Sequence, residues 1–169
     1  MVKRTWITAD EHFSHKNIIK YCLRPFKTVE EMNETIITNH NVVVSPEDTI
    51  YILGDFALTK KKHMAYLVSR LNGYKILLIG NHDKHFLQRE CNTQKIERFL
   101  DFGFDEVYNG PITKDNFILS HVPLRQAGLP MINVGVDAWN FTPIPFPSIK
   151  QRINLCAHIH EKWLMDTKI

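Results

Sequence analysis

The sequence predicts an α/β fold in which helices pack against a central β-sheet. In the first half of the 169 residues, short apolar runs alternate with segments of helical periodicity, and further β-like runs follow. Several of the apolar runs end at polar side chains that can bind metal ions. With 44% hydrophobic and 23% charged residues the composition is that of a globular protein, so we expect one domain spanning residues 1–169.

Three buried strands are predicted in the first half, because three short, largely apolar runs are bounded by turn residues. They cover residues 5–9 (TWITA), 49–53 (TIYIL) and 74–79 (YKILLI). Helices are predicted over residues 15–23, from an N-cap at Thr28 to about residue 43, and over residues 60–72. Glu31 lies three positions after Thr28, which is the spacing of a capping box, and Gly73 is a natural helix stop.

The second half is predicted to be richer in β-structure. One more helix is expected near residues 84–100. Shorter strands are then expected over residues 106–108, 117–120, 131–134, 153–157 and 162–165. The proline-rich stretch 142–147 (TPIPFP) is expected to be an extended surface loop, because proline fixes φ and lacks a backbone donor.

Charge and cysteine content restrict the class of protein. The 21 Lys and Arg residues exceed the 18 Asp and Glu residues, and the net charge of +3 permits an anionic substrate without requiring nucleic acid. The three cysteines form no CxxC pair, which favours a reducing compartment. No run approaches the roughly 20 apolar residues that cross a bilayer. We therefore expect a cytoplasmic protein without a membrane partner.

Metal-capable side chains follow five of the apolar runs. They are Asp10 and His12, then Asp55, then Asn81, then His121, and finally His158 and His160. Ligand sites in α/β sheets lie beyond the carboxyl ends of the strands, so these side chains would converge if the strands are neighbours in one sheet. The mixed oxygen and nitrogen donors favour Mn²⁺, Fe or Zn²⁺, and seven ligands suffice for two ions that share a bridging carboxylate.

These blocks resemble the signature of the calcineurin-like metallophosphoesterase superfamily, which reads DxH, GDxx, GNH[DE], a lone His and GHxH. This chain has DEH at residue 10, GDFA at 54, GNHD at 80, His121 and AHIH at 157, in the same order. Phrases such as HFSHKNIIKYCLRPF and NVGVDAWNFTP are similar to a compact bacterial or bacteriophage branch. The resemblance implies mixed central sheets in a four-layer α/β/β/α sandwich, with a dimetal site at the C-terminal strand ends.

The resemblance also implies a role for each ligand. One metal would be held by Asp10, His12 and His160, and the other by Asn81, His121 and His158, with Asp55 bridging the two. Two divalent ions are implied, Mn²⁺ first and Fe, Zn²⁺ or Ni²⁺ as alternatives. A metal-bridging hydroxide would attack phosphorus. His82 would assist the leaving group, and Asp83 would orient the His82 ring.

The implied function is a dinuclear metal-dependent phosphohydrolase, most simply a phosphodiesterase that acts on a small phosphodiester or nucleotide. A nuclease of the same superfamily is an alternative, which the net charge of +3 and the lysines near the site motivate. A binding module that keeps the fold without catalysis is another. Ala157 motivates this third interpretation, because it replaces the usual glycine. The phrase NVGVDAWNFTP also precedes the HxH pair instead of following it, so the order of the last strands stays open.

Several residues near the motifs are candidates for contact with substrate. His15 follows the DxH block, and Arg125 follows His121 by four residues and could bind a phosphate through two donors. Arg24 is a similar candidate for the rim of the site. The lysines at 60–62 are interpreted as a solvated first helical turn, and Cys156 as a buried core residue in preference to a metal ligand.

Overall fold

The computed structural model describes residues 2–87, 91–123, 132–135, 144–145, 153–157 and 165–166. Its strands are β1 (Thr5–Thr8), β2 (Thr49–Ile52), β3 (Tyr74–Leu78), β4 (Glu106–Tyr108), β5 (Ile112–Lys114), β6 (Phe117–Ser120), β7 (Ile132–Gly135), β8 (Ile144–Pro145), β9 (Ile153–Cys156) and β10 (Met165–Asp166). Its helices are α1 (Ile18–Tyr21), α2 (Val29–Val43), α3 (Lys61–Ser69), α4 (Asn81–Phe86) and α5 (Asn92–Asp101). The predicted α/β class is confirmed.

The strands form two mixed five-stranded sheets. The first sheet has the order β4-β3-β2-β1-β8, in which β1 to β4 are parallel and β8 pairs antiparallel with β1. The second has the order β10-β7-β9-β6-β5, in which β7, β9 and β6 are parallel and both edge strands are antiparallel. The motif-bearing strands are divided between the sheets, with β1, β2 and β3 in the first and β6 and β9 in the second.

The two sheets share one apolar core, and the helices share another with the first sheet. Side-chain alternation along β1 sends Ile7 to the core between the sheets and Trp6 to the core beneath the helices. Burial on both faces explains why β1, β2 and β3 read as continuous apolar runs. Within the described residues the layers are therefore helices, first sheet and second sheet, and no described helix is long and apolar enough to cross a membrane.

Local sequence explains where α2 begins and where β3 starts. The Thr28 hydroxyl accepts the N–H of Glu31 at 3.1 Å, and the Glu31 carboxylate accepts the N–H of Lys27 at 2.9 Å, one residue earlier than a strict capping box requires. Gly73 has φ of +90°, and a Cβ at that position would lie 2.9 Å from Val44 Cγ1. Glycine is therefore needed where the chain turns into β3.

Three of the local predictions are corrected by the structure. The helix expected over residues 15–23 is only the single turn α1, since Asn17 makes no side-chain cap and Leu23 has φ of +49°. The helix expected near 84–100 is two helices, and Cys91 begins the second by donating its N–H to Gln94 Oε1. The loop expected at 142–147 contains β8, an edge strand in which proline costs little because few ladder bonds are needed there.

The late strands take positions that the motif order left open. The strand β7, which begins the NVGVDAWNFTP phrase, lies beside β9 in the interior of the second sheet. The strand β10 adds to β7 at the edge, close to the predicted strand at 162–165. Although the NVGVDAWNFTP phrase precedes the HxH pair in the chain, β9, which leads to that pair, lies between β7 and β6 in the sheet.

Candidate metal centre

The loops that follow β1 and β2 place three of the predicted ligands side by side. Asp10, His12 and Asp55 are all buried, and their ligand atoms lie within 4.8 Å of one another. All three have positive φ, between +52° and +55°. Residues other than glycine rarely adopt this backbone conformation. It is concentrated at functional sites, where the surrounding structure enforces it.

Backbone hydrogen bonds hold these two loops together. The N–H of Asp10 donates to the carbonyl of Gly54 at 3.1 Å, and the N–H of His12 donates to that of Asp55 at 3.0 Å. The N–H of the next residue, Phe13, donates to the carbonyl of Phe56 at 2.8 Å. The ligand-bearing loop after β1 therefore continues the pairing of the sheet, which fixes its left-handed residues against the loop after β2.

The glycine before Asn81 is required by the closeness of the Asp55 carboxylate. A Cβ at Gly80 would lie 2.2 Å from Asp55 Oδ1 and 2.5 Å from Asp55 N. Gly54 has φ of +94°, and a Cβ there would lie 2.7 Å from Gly80 Cα. These two glycines let the loops after β2 and β3 touch, which brings Asn81 and His82 beside Asp55.

The second sheet contributes His121, which follows β6. Its Nδ1 lies 2.8 Å from the carbonyl oxygen of Leu53, and its Nε2 lies 2.8 Å from Asn81 Oδ1. Because a carbonyl oxygen only accepts, Nδ1 carries a proton and Nε2 is directed to the site. A carbonyl bond to one ring nitrogen is the usual way in which proteins orient a metal-binding histidine.

One oxygen of Asp55 is the centre of the cluster. Three ring nitrogens surround Asp55 Oδ2, with Nε2 of His121 at 3.4 Å and Nε2 of His12 and of His82 both at 3.9 Å. This oxygen is buried and accepts no hydrogen bond from the residues that the structure describes. A divalent cation among these atoms would satisfy the oxygen, so the donor set fits a metal of the Mn²⁺, Fe or Zn²⁺ type.

The electrostatics of Asp55 and His121 are coupled. Burial disfavours a charged Asp55 carboxylate, but the neighbouring His121 and His12 rings outweigh burial, and the pKa of Asp55 is lowered. Burial likewise disfavours a charged His121, but the Asp55 carboxylate outweighs it and raises the pKa of this ring. The site therefore keeps a negative charge on Asp55 in a buried position, which favours cation binding.

Five of the seven predicted ligands are thus brought together, from both sheets. They are Asp10, His12, Asp55, Asn81 and His121. The other two, His158 and His160, lie outside the described residues, as does the predicted substrate-binding residue Arg125. The described end of β9 reaches the site, because the buried Ala157 donates its N–H to the carbonyl of His121 at 2.9 Å.

His82 and His15 lie at the mouth of the site. The backbone N–H of His82 donates to Asp55 Oδ1 at 2.8 Å, and its side chain is 39% exposed. The ring centroid of His82 lies 5.1 Å from that of His12 and 5.8 Å from that of the half-buried His15. Burial is the main cause that lowers the pKa of His15, and the nearby His82 adds to it. Both rings therefore lie beside His12, one of the predicted metal ligands.

Asp83 does not have the role that the resemblance implies. Its Oδ2 accepts the backbone N–H groups of Asp55 at 2.8 Å and Gly80 at 2.9 Å, and its Oδ1 accepts that of Phe56 at 3.0 Å. Both oxygens are therefore engaged with backbone, and the expectation that they orient the His82 ring is wrong. The buried Asp83 instead joins the loop after β2 to the loop after β3.

Comparison with known proteins identifies relatives of the chain. No family model matches it. Over 162 residues it is 36% identical to the "Uncharacterized protein MJ1445" of Methanocaldococcus jannaschii, a match that covers 90% of this chain and 92% of that protein. The chain belongs to the MJ1445 family. The Gene 66 protein of Mycobacterium phage L5 is 33% identical over 96 residues, which are 54% of this chain and 45% of the phage protein.

A solved structure supports the fold of this MJ1445 family member. It is the crystal structure of the protein of unknown function AQ665 from Aquifex aeolicus, with a TM-score of 0.60 and 22% sequence identity. The likeness covers 85% of this chain and 96% of that one. At this identity the comparison concerns the arrangement of the sheets and helices alone.

Arg24 supports the site from the protein interior, whereas the sequence predicted a position on the rim. It was expected on the rim, but it is 4% exposed and donates to two carbonyl oxygens, those of Asp10 and Glu11, both at 2.7 Å. The guanidinium therefore holds the ligand loop from behind. The sequence carries no signal for this role, because Arg24 binds backbone carbonyls, which every residue has. The bonded residues also lie 13 and 14 positions before Arg24 in the chain.

Other residues near the motifs agree with their simpler interpretations. Lys60 forms the N-cap of α3, and the lysines at 60–62 are exposed, as a solvated first turn requires. Cys156 is fully buried, and burial raises the pKa of its thiol to about 12, which suits a neutral core side chain. The φ angle of Ala157 is outside the positive region, so the chain tolerates alanine here.

Proposed function

We propose that the protein is a dinuclear metal-dependent phosphoesterase that hydrolyses phosphodiester bonds. The observation that carries the proposal is the convergence of buried oxygen and nitrogen ligands on Asp55 Oδ2, with the partly exposed His82 ring at the same oxygen. Two mixed sheets packed face to face support the four-layer sandwich as the finer description of the fold. Its fourth layer would be a helical cover on the outer face of the second sheet.

The predicted ligands form two groups that the resemblance assigns to separate ions, with Asp55 shared by both. Asp10 and His12 form one group with Asp55, and His160 would complete it. Asn81 and His121 form the other group, and their ligand atoms are already 2.8 Å apart. His158 would complete that group. This division supports two ions that share the Asp55 carboxylate.

The residues of the chain prepare the site for the reaction. Divalent cations, when bound, neutralise charge on phosphoryl oxygens and provide a nucleophile near neutral pH. The carbonyl of Leu53 fixes the His121 tautomer. Asp55 Oδ1 accepts the backbone N–H of His82 and so fixes the backbone from which the His82 side chain extends. His82 Nε2, at the open end of the cluster, is placed to hold a proton and to donate it to the leaving oxygen.

Hydrolysis of chromogenic esters tests this proposal. We expect metal-dependent release of nitrophenol from bis-p-nitrophenyl phosphate with added Mn²⁺ and none with chelator. On a dinucleotide, whose alkoxide leaving group needs a proton, the rate in His82→Ala should fall by about 10²- to 10⁴-fold, the usual contribution of an acid–base group. His63→Ala is the matched control, because His63 is exposed on α3 and stacks on Tyr66. Equal rates in wild type and His82→Ala would contradict the proposed role of His82.

The same assay separates catalysis from binding alone. A binding module that keeps the fold would bind two metal ions per chain by elemental analysis and hydrolyse neither bis-p-nitrophenyl phosphate nor p-nitrophenyl phosphate. A phosphomonoesterase would prefer the monoester. We expect preference for the diester, as the proposed phosphodiesterase activity requires.

A further inference from the structure

A basic groove adjoins the mouth of the metal centre. Three exposed lysines line it, Lys16, Lys20 and Lys27, together with Thr28 and Glu30, and its volume is about 290 Å³. Glu30 is the one carboxylate among the described residues that line the groove. Three ammonium groups against one carboxylate leave a net positive charge, which attracts anions with more than one phosphate.

Consecutive residues of the chain connect the groove lining to the site. Lys16 directly follows His15, whose ring centroid lies 5.4 Å from that of the ligand His12. The ring of Tyr21, which follows Lys20, lies 6.3 Å from the His15 ring in an edge-on arrangement. Tyr21 is 70% exposed, so its ring is accessible to a ligand base.

Lysines also line a second, shallow hollow, which is formed by Ser14, Leu58, Thr59, Lys60 and Lys61. Ser14 and Lys16 flank His15 in the chain, so the two basic surfaces are joined at the site itself. A ligand that contacts both surfaces must be longer than one nucleotide and must carry phosphates along its length.

We propose that single-stranded nucleic acid is the substrate class of this site, an inference that rests on the proposed phosphoesterase function. Phosphates of the strand bind Lys16, Lys20 and Lys27, and a base stacks on Tyr21. A cationic groove with exposed aromatic rings is the usual way to bind single strands without sequence preference. In hydrolysis one water adds its oxygen to phosphorus, the bond from phosphorus to the departing sugar oxygen breaks, and that oxygen takes a proton from His82, which the water proton replaces.

Binding to metal-free protein tests the groove separately from catalysis. The probe is a fluorescein-labelled oligothymidylate of about 12 nucleotides, followed by anisotropy in chelator over a range of salt concentrations. Each phosphate contact on a single strand contributes about 0.7 to the slope of log K against log salt, so Lys16→Gln/Lys20→Gln/Lys27→Gln should reduce the slope by about 2. At about 50 mM salt its affinity should be about 10-fold or more below that of wild type.

A second triple variant controls for net charge. Lys3→Gln/Lys95→Gln/Lys114→Gln removes the same charge from residues outside the groove lining, and we expect a slope and affinity close to those of wild type. A triple Lys→Arg variant at 16, 20 and 27 should bind like wild type, which excludes a folding defect. Tyr21→Ala should bind about 10-fold more weakly with an unchanged slope, and Tyr21→Trp should restore binding.

Specific outcomes would overturn the inference. Equal losses in the two Lys→Gln triple variants would show that only net charge matters. The absence of oligonucleotide binding by wild type at about 50 mM salt would refute it directly. Lysine-dependent binding to phosphatidylserine vesicles without oligonucleotide binding would assign the groove to a membrane surface. Intact groove binding in a protein that hydrolyses no diester would refute the proposed function and leave the groove assignment standing.

Discussion

The imidazole of His121 is oriented by the carbonyl oxygen of Leu53, which lies 2.8 Å from its Nδ1. Leu53 follows β2 in the first sheet, and His121 follows β6 in the second. A single side chain to backbone bond therefore links the two sheets at the site and directs Nε2 toward Asp55. The metal centre depends on the packing of the sheets as well as on the ends of the strands.

Replacing Asp55 should remove both metal ions, because each group of ligands meets at its carboxylate. We expect Asp55→Asn to bind less than one ion per chain by elemental analysis after dialysis and to lose diester hydrolysis by at least about 10²-fold. The matched control is Asp101→Asn on the exposed end of α5. Two ions per chain in Asp55→Asn would show that Asp55 does not bridge them.

Asp83 should be essential for stability as well as for activity. In Asp83→Ala the backbone N–H groups of Asp55, Phe56 and Gly80 lose their acceptor, and leaving such buried donors unpaired costs about 3 kcal/mol or more in the free energy of unfolding. Urea unfolding in chelator measures this change without a contribution from bound metal.

The control for Asp83 is an exposed aspartate that also accepts a backbone N–H. Asp105 accepts the N–H of Lys75 at 2.7 Å, and Asp105→Ala should cost about 1 kcal/mol. A similar loss of unfolding free energy in both variants would mean that the burial of Asp83 does not increase the cost of removing its carboxylate. The two variants should also differ in hydrolysis, since only Asp83 holds the Asp55 loop against the loop after β3.

Arg24 should act through the Asp10 loop, and lysine should not replace it. The guanidinium reaches the carbonyls of Asp10 and Glu11 with two separate nitrogens in a planar fork, which the single nitrogen of lysine does not reproduce, so Arg24→Lys should lower the free energy of unfolding by about 2 kcal/mol. It should also weaken Mn²⁺ binding by about 10- to 100-fold, as loss of a ligand-orienting contact does. Competition with a fluorescent chelator measures this affinity.

Arg70→Lys is the matched control for Arg24→Lys. Arg70 pairs with the exposed Glu34 at the surface, where such pairs contribute up to about 1 kcal/mol. We expect Mn²⁺ affinity in Arg70→Lys to equal that of wild type. If Arg24→Lys also kept wild-type affinity, the guanidinium would support the fold without positioning the ligands.

The strands and ligand blocks near the N-terminus could be predicted because their signals are local. A run such as TIYIL is buried on both faces, and the glycine that follows it allows the close contact of Gly54 with Gly80. The ligands follow from one rule, that polar residues after parallel strands meet at one edge. That rule placed Asp10, Asp55 and Asn81 correctly without any knowledge of strand order.

The remaining features depend on contacts between distant segments. Apolar runs do not specify which strands pair, so they did not reveal the division into two sheets, which only the family resemblance implied. The strand β5 is too short at three residues to give a pattern. A buried arginine such as Arg24 looks in sequence like an exposed one. The partner of Asp83 likewise depends on how closely the loops after β2 and β3 approach.

His40 should make the stability of the metal-free protein depend on pH between the pKa values of its unfolded and folded states. Burial lowers the pKa of this α2 ring to about 4, the Asn72 carbonyl at 2.9 Å opposes the shift, and the charge of Lys75 adds to it. In the unfolded chain the pKa is near the ordinary 6.5. Between these pKa values the His40 ring binds a proton in the unfolded chain but not in the folded chain. The free energy of unfolding therefore falls as the pH drops from 6.5 to about 4.

The size of this effect follows from the pKa difference. The loss should reach about 3 kcal/mol at pH 4 relative to pH 7, with a slope of up to about 1.4 kcal/mol per pH unit. In His40→Gln this part of the slope should be absent, whereas His63→Gln, on the exposed side of α3, should follow wild type. Urea unfolding between pH 7 and 4 in chelator measures all three proteins. An unchanged slope in His40→Gln would mean that the ring is protonated in the folded protein and that the Asn72 carbonyl outweighs burial.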